Sequence, residues 1–119
     1  MKYAMLVYAD QSPWEGISDD EAARLRAESM PRWITLFEEM GKADPNVTGK
    51  ELAASSEAKV VRVVDGQTIV TDGPFAETKE QLGGVFIAEL PDLDEAIRLA
   101  ALVPAADYGT LEIRPLATR

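Results

Sequence analysis

The chain has 119 residues, of which 46% are hydrophobic and 28% charged, and its net charge is −9. This length and balance predict one soluble domain covering residues 1–119, and the acidic charge argues against nucleic-acid binding, because phosphate contacts need clustered Lys and Arg. The sequence has no His and no Cys, which excludes imidazole bases, thiolate nucleophiles and the commonest ligands of transition metals. The acidic runs lack the ligand spacing and glycine of a calcium loop, and no G-x-G-x-x-G or Walker-type loop occurs, so we expect no metal and no cofactor.

The hydrophobic residues do not gather into a membrane segment. No apolar run approaches the roughly 18 residues that a membrane span needs. The apolar stretch at residues 3–9 is too short for the core and cleavage region of a signal peptide. We expect a cytoplasmic protein without membrane contact.

The first predicted elements are a strand and a long helix. Residues 2–9 form an almost wholly apolar run, which is typical of a strand buried on both faces. Ser18, with an acidic residue three positions later, predicts the start of a helix over 19–41, because this pair forms a capping box. Pro31 lies inside that range and predicts a kink or two helical pieces, and Gly41 is expected to end the helix.

A short strand near 47–54 and a β-hairpin follow. The runs KVVRVV and QTIVT flank Asp65 and Gly66. This dipeptide favours a type I′ turn, in which both central residues have a positive φ. The hairpin is the clearest local motif of the chain.

The last third predicts a strand, a helix and a strand. GVFIAEL at 84–90 is the strand, and Asp92 is the expected N-cap of a helix that Pro104 stops. The closing strand lies in YGTLEIRPL, where Leu111 and Ile113 alternate with polar residues.

The order of these elements predicts an α+β fold, a ferredoxin-like β-α-β-β-α-β pattern with an inserted β-hairpin. Two helices cover only one face of a four-stranded sheet. Because the first strand is apolar on both sides, the other face would remain exposed unless a second copy covered it. We therefore expect a homodimer with the sheets stacked face to face.

The run VTDGPFAETKEQLGGVFIAELPDLDEAIRLAALVP resembles the signature of the YCII-related, DGPF-motif family of small bacterial proteins. The resemblance implies a ferredoxin-like dimeric α+β barrel and a functional link to an extracytoplasmic-function sigma factor. It implies no settled activity for the family. More distant relatives carry a His-Asp pair proposed as catalytic, and many DGPF members have a late Cys-Pro. This chain lacks His, and Val103 and Pro104 stand where the Cys-Pro would be.

The DGPFAETKEQLGG segment at 72–84 has two interpretations. Its Asp-Gly-Pro run predicts a turn, Phe75 is expected to insert into the core, and Thr78 with Gln81 predicts a capped helical turn. These structural roles leave Glu77 and Lys79 unexplained. The loop is either purely structural or lines a pocket between the sheet and the helices.

Seven residues are candidates for such a pocket. Asp72 and Glu77 are the candidate catalytic carboxylates, which burial or a nearby cation would tune. The candidate ligand-binding residues are Lys79 and Arg114, which would hold an anion, and Tyr8, Trp33 and Phe75, which would form apolar walls. Glu51 is a weaker candidate. The competing interpretation places the aromatic residues in the core and the charged residues in solvent.

Two functions remain open. One is a dimeric domain that binds a small molecule or a protein partner without catalysis. The alternative is a small-molecule enzyme of the isomerase, lyase or hydrolase kind that uses carboxylate general acid/base chemistry. The enzyme hypothesis requires Asp72 or Glu77 to be buried beside a cation, with a raised pKa.

Overall fold

The computed structural model describes residues 1–118, which form a mixed α+β fold. It has a four-stranded antiparallel sheet, a separate two-stranded hairpin and two α-helices, of which none is long and apolar enough to cross a membrane. The strands are β1 (Lys2–Asp10), β2 (Thr48–Glu51), β3 (Lys59–Val64), β4 (Gln67–Asp72), β5 (Glu80–Glu89) and β6 (Thr110–Pro115), and the helices are α1 (Asp19–Ala43) and α2 (Leu93–Ala100). The sheet order β2-β5-β1-β6 is compatible with the predicted ferredoxin-like pattern.

The core lies between the helices and one face of the sheet. Met5 at the centre of β1 is fully buried and stands opposite Phe86 of β5 and Ile113 of β6. Leu36 of α1 and Leu99 of α2 are buried in the same cluster. Residues that alternate with Met5 point to the opposite face of the sheet, where they are only half-buried. The predicted contrast between a covered and an open sheet face is confirmed for the single chain.

Helix α1 is one element, and the prediction of two helical pieces at Pro31 is wrong. The Oγ of Ser18 accepts the backbone N–H of Glu21 at 3.1 Å, so the predicted N-cap is confirmed. Pro31 is exposed, and water can therefore satisfy the carbonyl that its missing N–H leaves free. The helix also continues past Gly41 to Ala43, because buried Leu36 and Met40 hold its last turns on the sheet.

Asp44 fastens the end of α1 to the sheet. Its carboxylate accepts the backbone N–H of Asn46 at 2.9 Å and that of Glu89 at 2.8 Å. These two hydrogen bonds, first that from Glu89, lower the pKa of Asp44, and the charge of Lys2 contributes in the same direction. Asp44 therefore joins the C-terminal end of α1 to the end of β5.

Helix α2 begins as predicted and ends earlier. Asp92 Oδ1 accepts the backbone N–H of Glu95 at 2.9 Å, which confirms the N-cap. The helix ends at Ala100, and Pro104 begins a separate 3-10 turn over Pro104–Asp107 instead of stopping the helix directly. This turn leads the chain back to the sheet edge where β6 starts.

The hairpin of β3 and β4, residues 59–72, is called the arm below. Its first strand has the predicted bounds, its second strand runs one residue further, to Asp72, and both turn residues have positive φ, 50° at Asp65 and 77° at Gly66. The main sheet does not hydrogen-bond to it: β3 and β4 form a sheet of their own. At its base, Gly73 donates its N–H to the Ala58 carbonyl at 2.8 Å.

Candidate functional site

A cleft of about 510 Å³ lies at one end of the main sheet and is lined by Asp10, Thr78, Lys79, Glu80 and Tyr108. The antiparallel register of β1 and β5 forms it, because this register places the last residue of β1, Asp10, opposite the first residue of β5, Glu80. Tyr108 arrives from the 3-10 turn that precedes β6. Three segments that are distant in sequence thus meet at this cleft.

The loop before β5 is held in place by its own side chains. Gln81 Nε2 donates to the carbonyl oxygens of Ala76 and Thr78, each at 2.8 Å, and the Thr78 hydroxyl donates to the Glu80 carbonyl at 2.6 Å. Gln81 does reach back as predicted, but it binds carbonyls. The predicted capped helical turn is wrong: residues 73–79 contain no helix, and β5 starts at Glu80, four residues before the predicted strand. These bonds fix the backbone on both sides of Lys79.

The charges of the cleft are one ammonium and two carboxylates. The backbone N–H of Ser12 donates to Asp10 Oδ1 at 2.9 Å. Hydrogen bonds from Ser12 are the main reason that the pKa of Asp10 lies below its usual value, and the charge of Lys79 adds a smaller effect. Glu80 accepts the Thr110 hydroxyl at 2.9 and 3.1 Å from its two oxygens. Asp10 is therefore a carboxylate at neutral pH, and Lys79 is the cation among the lining residues.

Gly109 allows the chain to pass close to β1 beside the cleft. A Cβ at this position would lie 2.2 Å from the Tyr8 carbonyl oxygen, and the Gly109 N–H donates to the Ala105 carbonyl at 2.6 Å. A backbone atom cannot move aside as a flexible side chain can. Glycine is therefore required here for steric reasons, and it sets the position of the neighbouring Tyr108.

Of the seven predicted site residues, Lys79 alone lines this cleft. Asp72 ends β4 in the arm, where its side chain is 85% exposed and forms an ion pair with Lys59. Glu77 is exposed in the loop. The two candidate catalytic carboxylates are therefore at the surface of the single chain.

The prediction that Phe75 inserts into the core is wrong. Phe75 is 76% exposed, and the Arg62 guanidinium lies 5.3 Å from the centre of its ring. The Gly73–Pro74 peptide before it is cis. Phe75 thus contacts the arm through a cation–π interaction instead of packing under the sheet.

Tyr8, Arg114 and Trp33 are placed apart from the cleft lining. The Tyr8 hydroxyl and the Arg114 guanidinium lie 3.4 Å and 3.5 Å from carboxylate oxygens of Glu112, all on the open face of the sheet. The Trp33 ring packs on Phe86 at a centroid distance of 6.5 Å. Trp33 is therefore half-buried against the core, closer to the competing interpretation than to a pocket wall. Glu51, the weaker candidate, is exposed at the end of β2.

Sequence reasoning missed Asp10, Glu80 and Tyr108 as site residues. Asp10 follows an apolar strand and Tyr108 precedes another, so each stands at a strand end, where functional groups often lie. This signal was present, but the pairing of β1 with β5 was needed to bring these residues to Lys79. In residues 1–118, no group of three or more acidic side chains is placed to hold a metal ion.

Comparison with known proteins agrees with the resemblance in the DGPF segment. The family model described as YCII-related domain matches residues 1–118. The chain is also similar to an uncharacterised protein, R00369, of Rhizobium meliloti (strain 1021), with 38% identity over 119 residues that cover 98% of this chain and 93% of that protein. The chain therefore belongs to the YCII-related family.

Proposed function

We propose that this chain is a single, homodimeric domain that binds a small polar molecule in the cleft, without catalysis. The observation that carries the proposal is the position of Lys79. This lysine has no capping role in the loop, yet the bonds made by Gln81 and Thr78 hold its backbone at the cleft that Asp10 also lines. Binding groups are often carried by loops that a rigid scaffold holds in place, and a few convergent polar groups fix the orientation of a ligand.

The lining groups define the class of ligand. The Lys79 ammonium would bind a carboxylate or another small anion, because it donates hydrogen bonds and carries positive charge. Asp10 would accept hydrogen bonds from hydroxyl or amino groups, and the Tyr108 hydroxyl can donate or accept. A small carboxylic acid that also carries hydroxyl or amino groups satisfies all three.

The dimer forms through the open face of the sheet. Its centre is apolar, with Leu6 of β1 flanked by Val85 and Ile87 of β5, all half-buried in the single chain. Charged residues border this centre on β6, where Glu112 and Arg114 lie. An apolar centre with a polar rim is the usual anatomy of a protein interface. Two such faces stacked together give the dimeric α+β barrel that the family resemblance implies.

The enzyme alternative receives less support from the geometry. Acid/base chemistry at neutral pH calls for a carboxylate whose environment raises its pKa. Asp72 is exposed and paired with Lys59, and hydrogen bonds shift the pKa of Asp10 downward. Both features suit a stable negative charge better than proton transfer. A cytoplasmic location and the sigma-factor link stay predictions from the sequence and the resemblance.

A thermal-shift screen of small hydroxy and amino carboxylic acids tests the cleft. We expect a compound that raises the melting temperature of the wild type to bind Lys79→Met and Asp10→Asn at least about 10-fold more weakly by calorimetry, since each variant removes one charge-assisted hydrogen bond of about 1.5–3 kcal/mol. Lys59→Met is the matched control, because it removes a lysine of the arm. Equal affinity of the Lys79 and Lys59 variants would refute the cleft as the binding site.

A further inference from the structure

The arm exposes more apolar surface than a solvated hairpin needs. Val61 and Val70 stand opposite each other on one of its faces, 61% and 58% exposed, and Val63 on the same face is 69% exposed. Val64 and Ile69 make the other face partly apolar as well. A strand with apolar residues on both sides is typical of burial on both faces.

The hairpin also lacks support within its own chain. An isolated two-stranded hairpin is only marginally stable in water and needs further strands or a packing surface. At the base of the arm the flanking residues Gly73 and Ala58 close the hairpin with one hydrogen bond, and Arg62 covers the adjacent Phe75 ring. Residues 61–70 at its outer part have no comparable cover in the single chain.

The shape of the chain shows that the arm extends away from the core. The radius of gyration is 16.5 Å and the principal extents are 47 × 46 × 21 Å. A compact domain of this length would have a radius of gyration of about 13–14 Å. The arm begins after the edge strand β2 and returns into β5, so it leaves the fold at one edge of the sheet whose open face is proposed to dimerise.

The area of the open sheet face bears on which partner covers the arm. Four strands about 4.8 Å apart, paired over about six residues, present roughly 400 Å². A stable interface needs about 800 Å² from each partner, so the sheet face supplies half of it. One face of the arm adds roughly 200 Å² by the same spacing. In a two-fold dimer each subunit contributes its sheet face, its own arm and the surface that receives the arm of the other subunit. Together these surfaces reach about the area that a stable interface requires.

We infer that the arm is a clasp that packs, through the face carrying Val61, Val63 and Val70, on a second copy of this chain. The inference rests on the homodimer of the proposed function and adds a second contact to the stacked sheets. The two-fold symmetry makes the contact reciprocal, because the arm of each copy then packs on the same surface of the other.

The dimer dissociation constant, measured by sedimentation equilibrium, tests the clasp. We expect Val61→Lys combined with Val70→Lys to weaken the dimer at least 100-fold, because two lysines would have to be buried in an apolar contact. Both positions are exposed in the single chain, so its fold should tolerate the change, as circular dichroism would verify. The milder pair Val61→Thr and Val70→Thr, which keeps shape and strand propensity, should weaken the dimer about 10-fold.

Two further variants distinguish failure of the clasp from failure of the stacked-sheet dimer. Ile34→Lys introduces one lysine at another exposed apolar position, on α1, and should leave the dissociation constant within about 3-fold of the wild type. Leu6→Lys, at the centre of the open sheet face, should abolish the dimer. If Leu6→Lys dissociates the dimer while the arm variants do not, the clasp is overturned and the stacked-sheet dimer stands. A wild-type chain that is monomeric at micromolar concentration would overturn both.

Hydrogen exchange gives a readout that does not depend on substitution. The backbone amides of residues 60–71 should be protected in the dimer and should lose protection on dilution below the dissociation constant, because the hairpin alone is marginal. Amides of β1 that pair with β6 serve as the internal reference. Arm amides that exchange rapidly at every concentration would overturn the clasp.

Discussion

Adding one methyl group at Gly49, in the edge strand β2, tests how tightly the sheet packs on α1. Gly49 lies opposite Phe86 in the register of β2 and β5. A Cβ at Gly49 would lie 2.6 and 2.7 Å from two carbon atoms of the Phe86 ring. Ordinary carbon contacts are about 3.5–4.0 Å, so the ring would have to move by about 1 Å. The Trp33 ring also packs on Phe86, at a centroid distance of 6.5 Å, and limits that movement.

The magnitude follows from two opposing effects. Overpacking a filled site costs about 1–3 kcal/mol. Replacing glycine by alanine reduces the conformational freedom of the unfolded chain and returns about 0.4–1 kcal/mol. The φ of Gly49 lies outside the left-handed region, so the backbone itself adds no strain. We expect Gly49→Ala to lower the free energy of unfolding by about 1–2 kcal/mol.

A double-mutant cycle isolates the contact. Phe86→Leu alone should cost about 1–2 kcal/mol through lost packing. In combination with Gly49→Ala the total should be smaller than the sum by about 1 kcal/mol, since the smaller side chain makes room for the methyl group. Gly41→Ala on α1, where an added Cβ meets no atom within 4 Å, is the control and should be stabilising. Urea unfolding at one fixed protein concentration, followed by Trp fluorescence, measures all four variants.

The result that would refute this reasoning is additivity. If the two costs add within about 0.5 kcal/mol, the methyl group and the ring do not compete for the same space. A Gly49→Ala variant as stable as Gly41→Ala would contradict the reasoning equally.

Two further predictions concern stability. Asp44→Asn should lower the denaturation midpoint at pH 7, because an amide has only one oxygen to accept the two N–H groups of Asn46 and Glu89. The folded-state pKa of Asp44 is lowered, so its contribution to stability is present above the ordinary value of 3.8 and is lost as the pH falls through the folded-state value. A difference in denaturation midpoint between wild type and variant that stays constant from pH 7 to pH 2 would contradict this. Pro31→Ala should raise the free energy of unfolding by about 2 kcal/mol, since it restores a helical N–H at an exposed site; unchanged urea unfolding would indicate that the proline causes no loss.

Local signals in the sequence predicted most of the elements. Asp65 and Gly66 predicted the hairpin, because few other dipeptides accept two successive positive φ angles. Ser18 and Asp92 predicted two helix starts, since each side chain bonds an N–H three residues away. Such features depend on neighbours in the chain and are readable without a fold.

The errors arose where tertiary packing outweighed a local preference. Pro31 did not divide α1, because it is exposed and water can satisfy the carbonyl that it leaves free, and Gly41 did not end the helix, because buried Leu36 and Met40 hold the last turns on the sheet. Thr78 and Gln81 predict a helical cap, but β5 extends to Glu80 by pairing with β1, and the same side chains donate hydrogen bonds to carbonyls of a non-helical loop. Phe75 was expected in the core, and its ring lies against Arg62 of the arm.

The sequence by itself determined the family, the order of elements and the lack of imidazole and thiolate groups, since these follow from a contiguous motif, from spacing and from composition. It also singled out Glu77 and Lys79 as residues without a structural role in the loop. Only the tertiary structure decided what surrounds that lysine. The antiparallel pairing of β1 with β5 brings Asp10 to the cleft, and the turn before β6 adds Tyr108. Asp10 is almost 70 positions from Lys79 in the sequence and still farther from Tyr108. Contacts over such separations depend on strand register, and no local pattern in the chain encodes that register.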